Sequence, residues 1–213
     1  MKIFEPTAGK VAAALLDIEA IKLNLSSPFT WASGWNSPIY CDNRLSLSFP
    51  PVRSMIRDAL VTVIRSEYPG TEAIAGVATA GIPQGALVAD QMNLPFIYVR
   101  SKPKGHGMEN MIEGKITKGQ KVVLVEDLVS TGGSSLKAAK ALEAAGFDIL
   151  GMAAIFTYGF DVAERNFQEA GIHLTCLSSY TYLLDEALER GYIGKDQLES
   201  LNTWRKDPGS WKP

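Results

Sequence analysis

A chain of 213 residues, 46% hydrophobic and 21% charged with mean hydropathy near zero, is long enough to bury a sizeable core and has neither a disordered nor a membrane-embedded composition. Its net charge of −2 and pI of about 5.8 exclude a general attraction to nucleic acid or anionic membranes, so any anion site must be local. Cys41 and Cys176 lack metal-ligand spacing and supply neither a disulfide framework nor a zinc site.

Met1-Lys2-Ile3-Phe4-Glu5-Pro6 lacks the apolar run of a signal peptide, and no segment approaches the roughly 20 apolar residues that cross a bilayer. A cytoplasmic protein without membrane or nucleic-acid partners is therefore expected. Val11, Leu15 and Ile18 predict a helix over 8–25, and breakers at Pro28, Gly34, Pro38 and Pro50 confine strands to short pieces at 29–31 and 39–41. Pro51 can open a helix whose Ile56, Leu60, Val63 and Ile64 share a face, and Tyr68-Pro69-Gly70 ends it. From residue 73 the pattern alternates: strand 73–78, loop 79–83, helix 84–92, strand 96–100, loop 101–119, strand 121–125, helix 134–145, strand 149–156, helix 161–170, strand 172–177. Residues 180–213 add two helical turns and a polar tail carrying Trp204 and Trp211. The alternation predicts a single α/β domain, a central mostly parallel sheet flanked by helices, with ligands beyond the carboxyl ends of its strands. Loops 79–83 and 129–133 both begin at such ends and can face one crevice. The stretch 104–119, with Gly105, Gly107, Gly114 and Gly119, is long for an α/β connection and predicts a lid on which Met108 and Met111 pack when it closes.

The chemistry concentrates after Val122-Val123-Leu124-Val125. Glu126 and Asp127 end this apolar run, and Leu128-Val129-Ser130-Thr131-Gly132-Gly133-Ser134-Ser135 leads into the next helix. Unpaired N–H groups at a helix start suit a phosphate, the glycines allow close approach, and Thr131, Ser134 and Ser135 offer hydroxyls. A polyphosphate cradle would carry Gly-Lys-Ser/Thr, and no lysine is present here. Carboxylates repel a dense run of phosphates but accept hydrogen bonds from the 2′ and 3′ hydroxyls of a ribose bearing one 5′-phosphate. An isolated acidic pair more often caps a helix or pairs with a cation; the adjoining loop favours the ribose-phosphate reading. Thr79-Ala80-Gly81 is a second small-residue loop, read either as a pyrophosphate contact or as a tight strand-to-helix turn.

At these residues the chain resembles the type I phosphoribosyltransferase family, and within it the orotate-specific branch. The likeness extends through Phe29-Thr30-Trp31-Ala32-Ser33-Gly34, Ser37-Pro38-Ile39-Tyr40, Gly76-Val77-Ala78-Thr79-Ala80-Gly81-Ile82-Pro83, Val99-Arg100 and Lys104-Gly105-His106-Gly107. The resemblance implies the type I phosphoribosyltransferase fold, with a core at about 50–178 and a small hood from residues 1–45 and 180–213. It implies transfer of a 5-phosphoribosyl group from 5-phosphoribosyl 1-pyrophosphate (PRPP) to orotate, with Mg²⁺ carried mainly by the substrate and no direct protein ligand. Glu126, Asp127, Leu128, Val129, Ser130, Thr131, Gly132, Gly133 and Ser134 would hold the ribose and its 5′-phosphate. Thr79, Ala80, Gly81, Arg100, Lys104 and His106 would meet the pyrophosphate, and Ser33, Gly34, Ile39, Tyr40, Cys41 and Ser130 the base. Lys104, His106, Arg100 and Asp127 would be catalytic. Arginine and loop cations act on the neighbouring subunit's site in the family, which implies a homodimer. A cis peptide bond is implied at Ala78–Thr79 or beside it.

Some orotate enzymes carry lysine at the positions of Ala32, Ala80 and Ser101, an aromatic residue at that of Cys41, and an arginine near Tyr158; this chain does not. Two further readings stand beside the orotate enzyme: a phosphoribosyltransferase for a purine or uracil, and a donor-sensing regulator on the same fold.

Overall fold

The structure, a computed structural model, describes residues 1–31, 34–102 and 111–212. In chain order the elements are β1 (Lys2–Ile3), α1 (Glu5–Asp17), β2 (Ile21–Leu23), β3 (Phe29–Thr30), β4 (Asn36–Ser37), β5 (Ile39–Cys41), a 3-10 segment (Asn43–Ser48) and α2 (Pro50–Glu67). Then come β6 (Ala73–Val77), α3 (Gly81–Met92), β7 (Phe96–Val99), β8 (Ile112–Glu113), β9 (Lys121–Val129), α4 (Gly133–Ala144), β10 (Asp148–Thr157), α5 (Asp161–Glu169) and β11 (Leu174–Ser179). Helix α6 (Tyr180–Glu189), a 3-10 turn (Lys195–Gln197) and α7 (Leu198–Lys206) complete the chain.

The β-branched run of β9 and the wholly buried β6 need cover on both faces, and a parallel sheet between helices supplies it. Among the described residues seven strands form one sheet in the order β1-β11-β10-β9-β6-β7-β8, parallel except for the last pair. One face packs Val123 and Val125 against α1, α2, α3 and α6; the other packs Val122 and Leu124 against α4 and α5. Helix boundaries follow local chemistry. Pro6 and Pro50 sit in the first turns of α1 and α2, and Asn93 closes α3 in a left-handed conformation at φ 53°.

Four expectations are corrected. The helix over 8–25 ends at Asp17; Glu19 turns the chain at φ 55°, and Ile21–Leu23, with burial alternating along it, pairs antiparallel with Ile39–Cys41. The strand over 121–125 runs on to Val129, so both acids lie inside it. Residues 180–213 hold two complete helices rather than two turns, because Tyr180, Leu183, Leu184, Leu201 and Trp204 all find buried partners. Finally, residues 2–3 pair with Thr175 and Cys176 in the main sheet and α1 covers β11, so the beginning of the expected hood belongs to the layered core.

The β3–β4 segment and the C-terminal helices are stapled to the core by aromatic rings. Trp204 of α7 is fully buried and packs near-perpendicular to Trp31 and Tyr158, at centroid distances of 5.6 and 5.7 Å. It also meets Phe160 at 5.6 Å and Tyr180 at 5.4 Å, and its indole N–H donates to the Asn36 carbonyl at 3.3 Å. One side chain thus joins the β3–β4 segment, the end of β10 and the C-terminal helices. Trp204→Ala is expected to lose about 3–5 kcal/mol, the usual range for a buried large aromatic. At about 2–4 °C per kcal/mol for a chain of this size, the melting temperature should fall by roughly 6–20 °C. A thermal melt matching the wild type would show that these rings do not hold the three segments together.

Candidate active site

Strands β6 and β9 are neighbours, yet the chain leaves β6 toward β7 and β9 toward β10, on opposite sides. This is the topological switch of an open α/β sheet, where the loops after the two strands diverge and leave a crevice between them. The loop after β6 is shorter than predicted, since α3 begins at Gly81. The Ala78–Thr79 peptide bond is cis, at the position the resemblance implies. Thr79 is exposed and Ala80 partly so, whereas Gly81 is buried against β9: a Cβ there would run into the Val125 carbonyl oxygen and come within 3.4 Å of the Glu126 Cα. The glycine therefore serves the close packing of α3 on the strand that carries the acids.

Burial alternation slips at the acidic pair. Val123 and Val125 join one core and Val122 and Leu124 the other, but Leu128 then packs with the first and Val129 with the second. Glu126 reaches the α4 side, where Ser135 donates to its Oε2 at 2.9 Å; its Oε1 accepts from the Asp127 N–H at 3.1 Å. With 5% exposure and both oxygens engaged, Glu126 lies beneath the crevice, and Asp127 is the more open acid. Burial pushes the Glu126 carboxyl well above its usual range, and the Asp127 charge adds to the effect. Burial raises Asp127 as well, opposed by hydrogen bonds and by the Arg44 charge. Ser135, expected as a phosphate hydroxyl, is spent on Glu126 and is 1% exposed.

At the end of β9 Leu128 is partly exposed and Val129 is buried in the core, and from there into the start of α4 Ser130 is partly exposed and Thr131, Gly133 and Ser134 are exposed. The carbonyls are tied back. Thr157 Oγ1 donates to the Val129 oxygen at 3.0 Å, and Asn166 Nδ2 of α5 donates to the Thr131 oxygen at 2.9 Å. Gly132 adopts φ 82°, where a Cβ would also press on the Phe167 ring. The first-turn amides of α4 have no intrahelical acceptor and no side-chain cap, and with the helix dipole behind them their chemistry suits an anion.

The aromatic wall of the crevice comes from β5. Tyr40 is 42% exposed and packs against Phe29 at 5.6 Å. Cys41 is half-buried, and burial followed by the charges of Asp127 and Asp42 pushes its thiol well above the ordinary range. Gly34, at φ 86°, forms a tight turn with Trp31 and Trp35. Ile39 is corrected: its side chain is fully buried in the core, so it supports the wall rather than lining it. Ser33, Lys104, His106 and Met108 lie outside the described residues. Arg100 follows β7, its N–H donating to the Met111 carbonyl at 2.8 Å and its guanidinium 3.4 Å from Glu113. Met111 is already buried at 2% exposure, so its packing does not await closure of a lid.

Sequence reasoning missed Asn43, Thr157 and Asn166, each of which donates a side-chain hydrogen bond to a backbone carbonyl remote in the chain. Neither spacing nor periodicity signals such a bond. A cavity of about 620 Å³ beside Met1, Lys2, Tyr68, Leu150 and His173 lies at the amino ends of β10 and β11, away from this crevice.

The Phosphoribosyl transferase domain family matches residues 50–172, from the start of α2 to the approach to β11. An orotate phosphoribosyltransferase of Cytophaga hutchinsonii is 66% identical over 95% of this chain and 97% of its own length. Among solved structures, the orotate phosphoribosyltransferase of Aeropyrum pernix superimposes with a TM-score of 0.75 at 29% identity, over 86% of this chain and 99% of that one. The UMP synthase of Leishmania donovani gives 0.78 at 27% identity and covers 92% of this chain; the match spans only 42% of that longer protein. With two-thirds identity over nearly the whole length of both chains, this chain belongs to the orotate phosphoribosyltransferase family.

Proposed function

We infer that the protein transfers the 5-phosphoribosyl group of PRPP to N1 of orotate, giving orotidine 5′-monophosphate and pyrophosphate. The observation that carries this reading is the switch-point crevice, with an anion seat on α4, the acids of β9 beside it and the Tyr40 wall above. The 5′-phosphate would sit on the amides of residues 130–134, and Asp127 would accept the ribose hydroxyls. Pyrophosphate would leave toward Thr79 and Ala80. As its bond to C1 stretches, positive charge grows on the ribose and negative charge on the leaving group, so cations placed there lower the barrier. Arg100, Lys104 and His106 are proposed for that role, with Arg100 exchanging Glu113 for substrate in a homodimer that shares its sites. Orotate can lose its N1 proton before attack, so no protein base is needed.

Mg²⁺ fits this donor set. Asp127 offers hard carboxylate oxygens at the proposed diol without being assigned as a direct ligand, and the described residues contain no cluster of three or more potential metal ligands. The ion, held mainly by pyrophosphate and ribose oxygens, would neutralise charge on the donor. Among the described residues no helix is long and apolar enough to cross a membrane, and a cytoplasmic location is proposed. Mixing the protein with orotate, PRPP and Mg²⁺ should consume orotate absorbance and release pyrophosphate. Turnover with a purine or uracil, and none with orotate, would reject the assignment.

A further inference from the structure

Asn43 lies between the wall of the crevice and its floor. It is 1% exposed, and both ends of its side-chain amide are engaged: Nδ2 donates to the Asp127 carbonyl at 2.7 Å, and Oδ1 accepts from the Cys41 thiol at 3.4 Å. Asn43 and Asp127 are 84 positions apart in the chain. The Asn43 carbonyl accepts from Ser46 Oγ at 2.6 Å, and that oxygen accepts from Gln84 Nε2 of α3 at 3.3 Å. A single residue therefore touches the base wall and the strand of the ribose acid, and is tied through Ser46 to the helix that opens beside the pyrophosphate loop.

We propose that Asn43 is a positioning residue that fixes the wall for the acceptor base relative to the ribose acid; this rests on the transfer reaction assigned above. Transfer requires N1 of the base to meet C1 of a sugar held from a different part of the chain. Displacement of about 1 Å in such an arrangement can lower the rate 10²-fold. Only a side chain with a donor at one branch and an acceptor at the other makes both bonds. Aspartate has the same shape but presents a second acceptor to the Asp127 carbonyl, and alanine presents nothing. A buried asparagine that merely satisfied the 3-10 turn would affect folding and leave the kinetics of folded molecules unchanged.

The test is steady-state and single-turnover kinetics of wild type, Asn43→Ala and Asn43→Asp, with each protein's folded fraction taken from its thermal melt. In both variants kcat with orotate should fall by about 10–100-fold, the scale of an ångström-level misplacement, while KM for PRPP stays within about twofold. Aspartate should rescue nothing despite its matching size. Wild-type kcat in a folded variant, or KM for PRPP rising in step with the loss of kcat, would overturn the assignment. Failure of both variants to melt cooperatively would also overturn it, by making Asn43 purely structural. If the wild type itself did not convert orotate, the functional reading would fall, and the role of Asn43 with it.

Discussion

Asp127→Ala is expected to lower kcat/KM for phosphoribosyl transfer by about 10²–10⁴-fold. A hydrogen bond to a charged acceptor contributes about 1.5–3 kcal/mol, two ribose hydroxyls give roughly 3–6 kcal/mol, and each 1.36 kcal/mol is tenfold in rate. Stability should move the other way in the isosteric Asp127→Asn. Burial raises the carboxyls of Asp127 and Glu126, so the folded protein binds more protons than the unfolded chain above pH about 4. An acid whose folded value is raised favours folding most below its unfolded value and progressively less as pH climbs toward the folded one. Wild-type stability should therefore decline from weakly acidic toward neutral pH, and Asp127→Asn should flatten part of that slope. Thermal melts at a series of pH values, set beside initial rates, would check both halves. A variant that kept its rate and showed the wild-type slope would remove Asp127 from the site.

Gly81→Ala is expected to damage both stability and turnover although it adds one methyl group. That methyl would meet the backbone oxygen of Val125, which cannot rotate away as a side-chain end could. Relief requires α3 to lift from β9, and overpacking of this kind costs about 1–3 kcal/mol, or roughly 2–12 °C in melting temperature. The same lift would carry Thr79 and Ala80 with it, and a shift of about 1 Å can lower turnover 10²-fold. Retention of full activity would mean that the loop and the acidic strand need not be in register. Gly133, whose added Cβ would approach no atom closer than 3.9 Å, is the contrasting position for a packing comparison.

Much of the layered core was legible because β-branched runs and helical periodicity report burial directly, as in Val122–Val125 and in Ile56, Leu60, Val63 and Ile64. The two small-residue loops were legible from composition, and their meeting at one switch point follows from strand order. What escaped was set by distant parts of the chain. Residues 18–25 continued an apolar pattern that suited a helix, but the presence of Ile39–Cys41 makes a strand of Ile21–Leu23. The acids looked as if they lay beyond the strand because carboxylates are uncommon in a buried sheet. Ser135 and the Asp127 N–H satisfy Glu126 there, and neither partnership shows in a one-dimensional pattern. Ser135 and Ile39 carried the right residue types for ligand contact and were diverted to support.

The two outermost strands of the main sheet, β1 and β8, are only two residues long. A long exposed margin of unpaired amides and carbonyls is a template for foreign strands and thus for aggregation. Among the described residues each outermost strand offers only one dipeptide, and on one side Lys2 adds an ion pair with Glu67 at 2.7 Å. The outermost strands of a sheet whose interior is so rich in valine and isoleucine are consequently poor templates for extension by another copy.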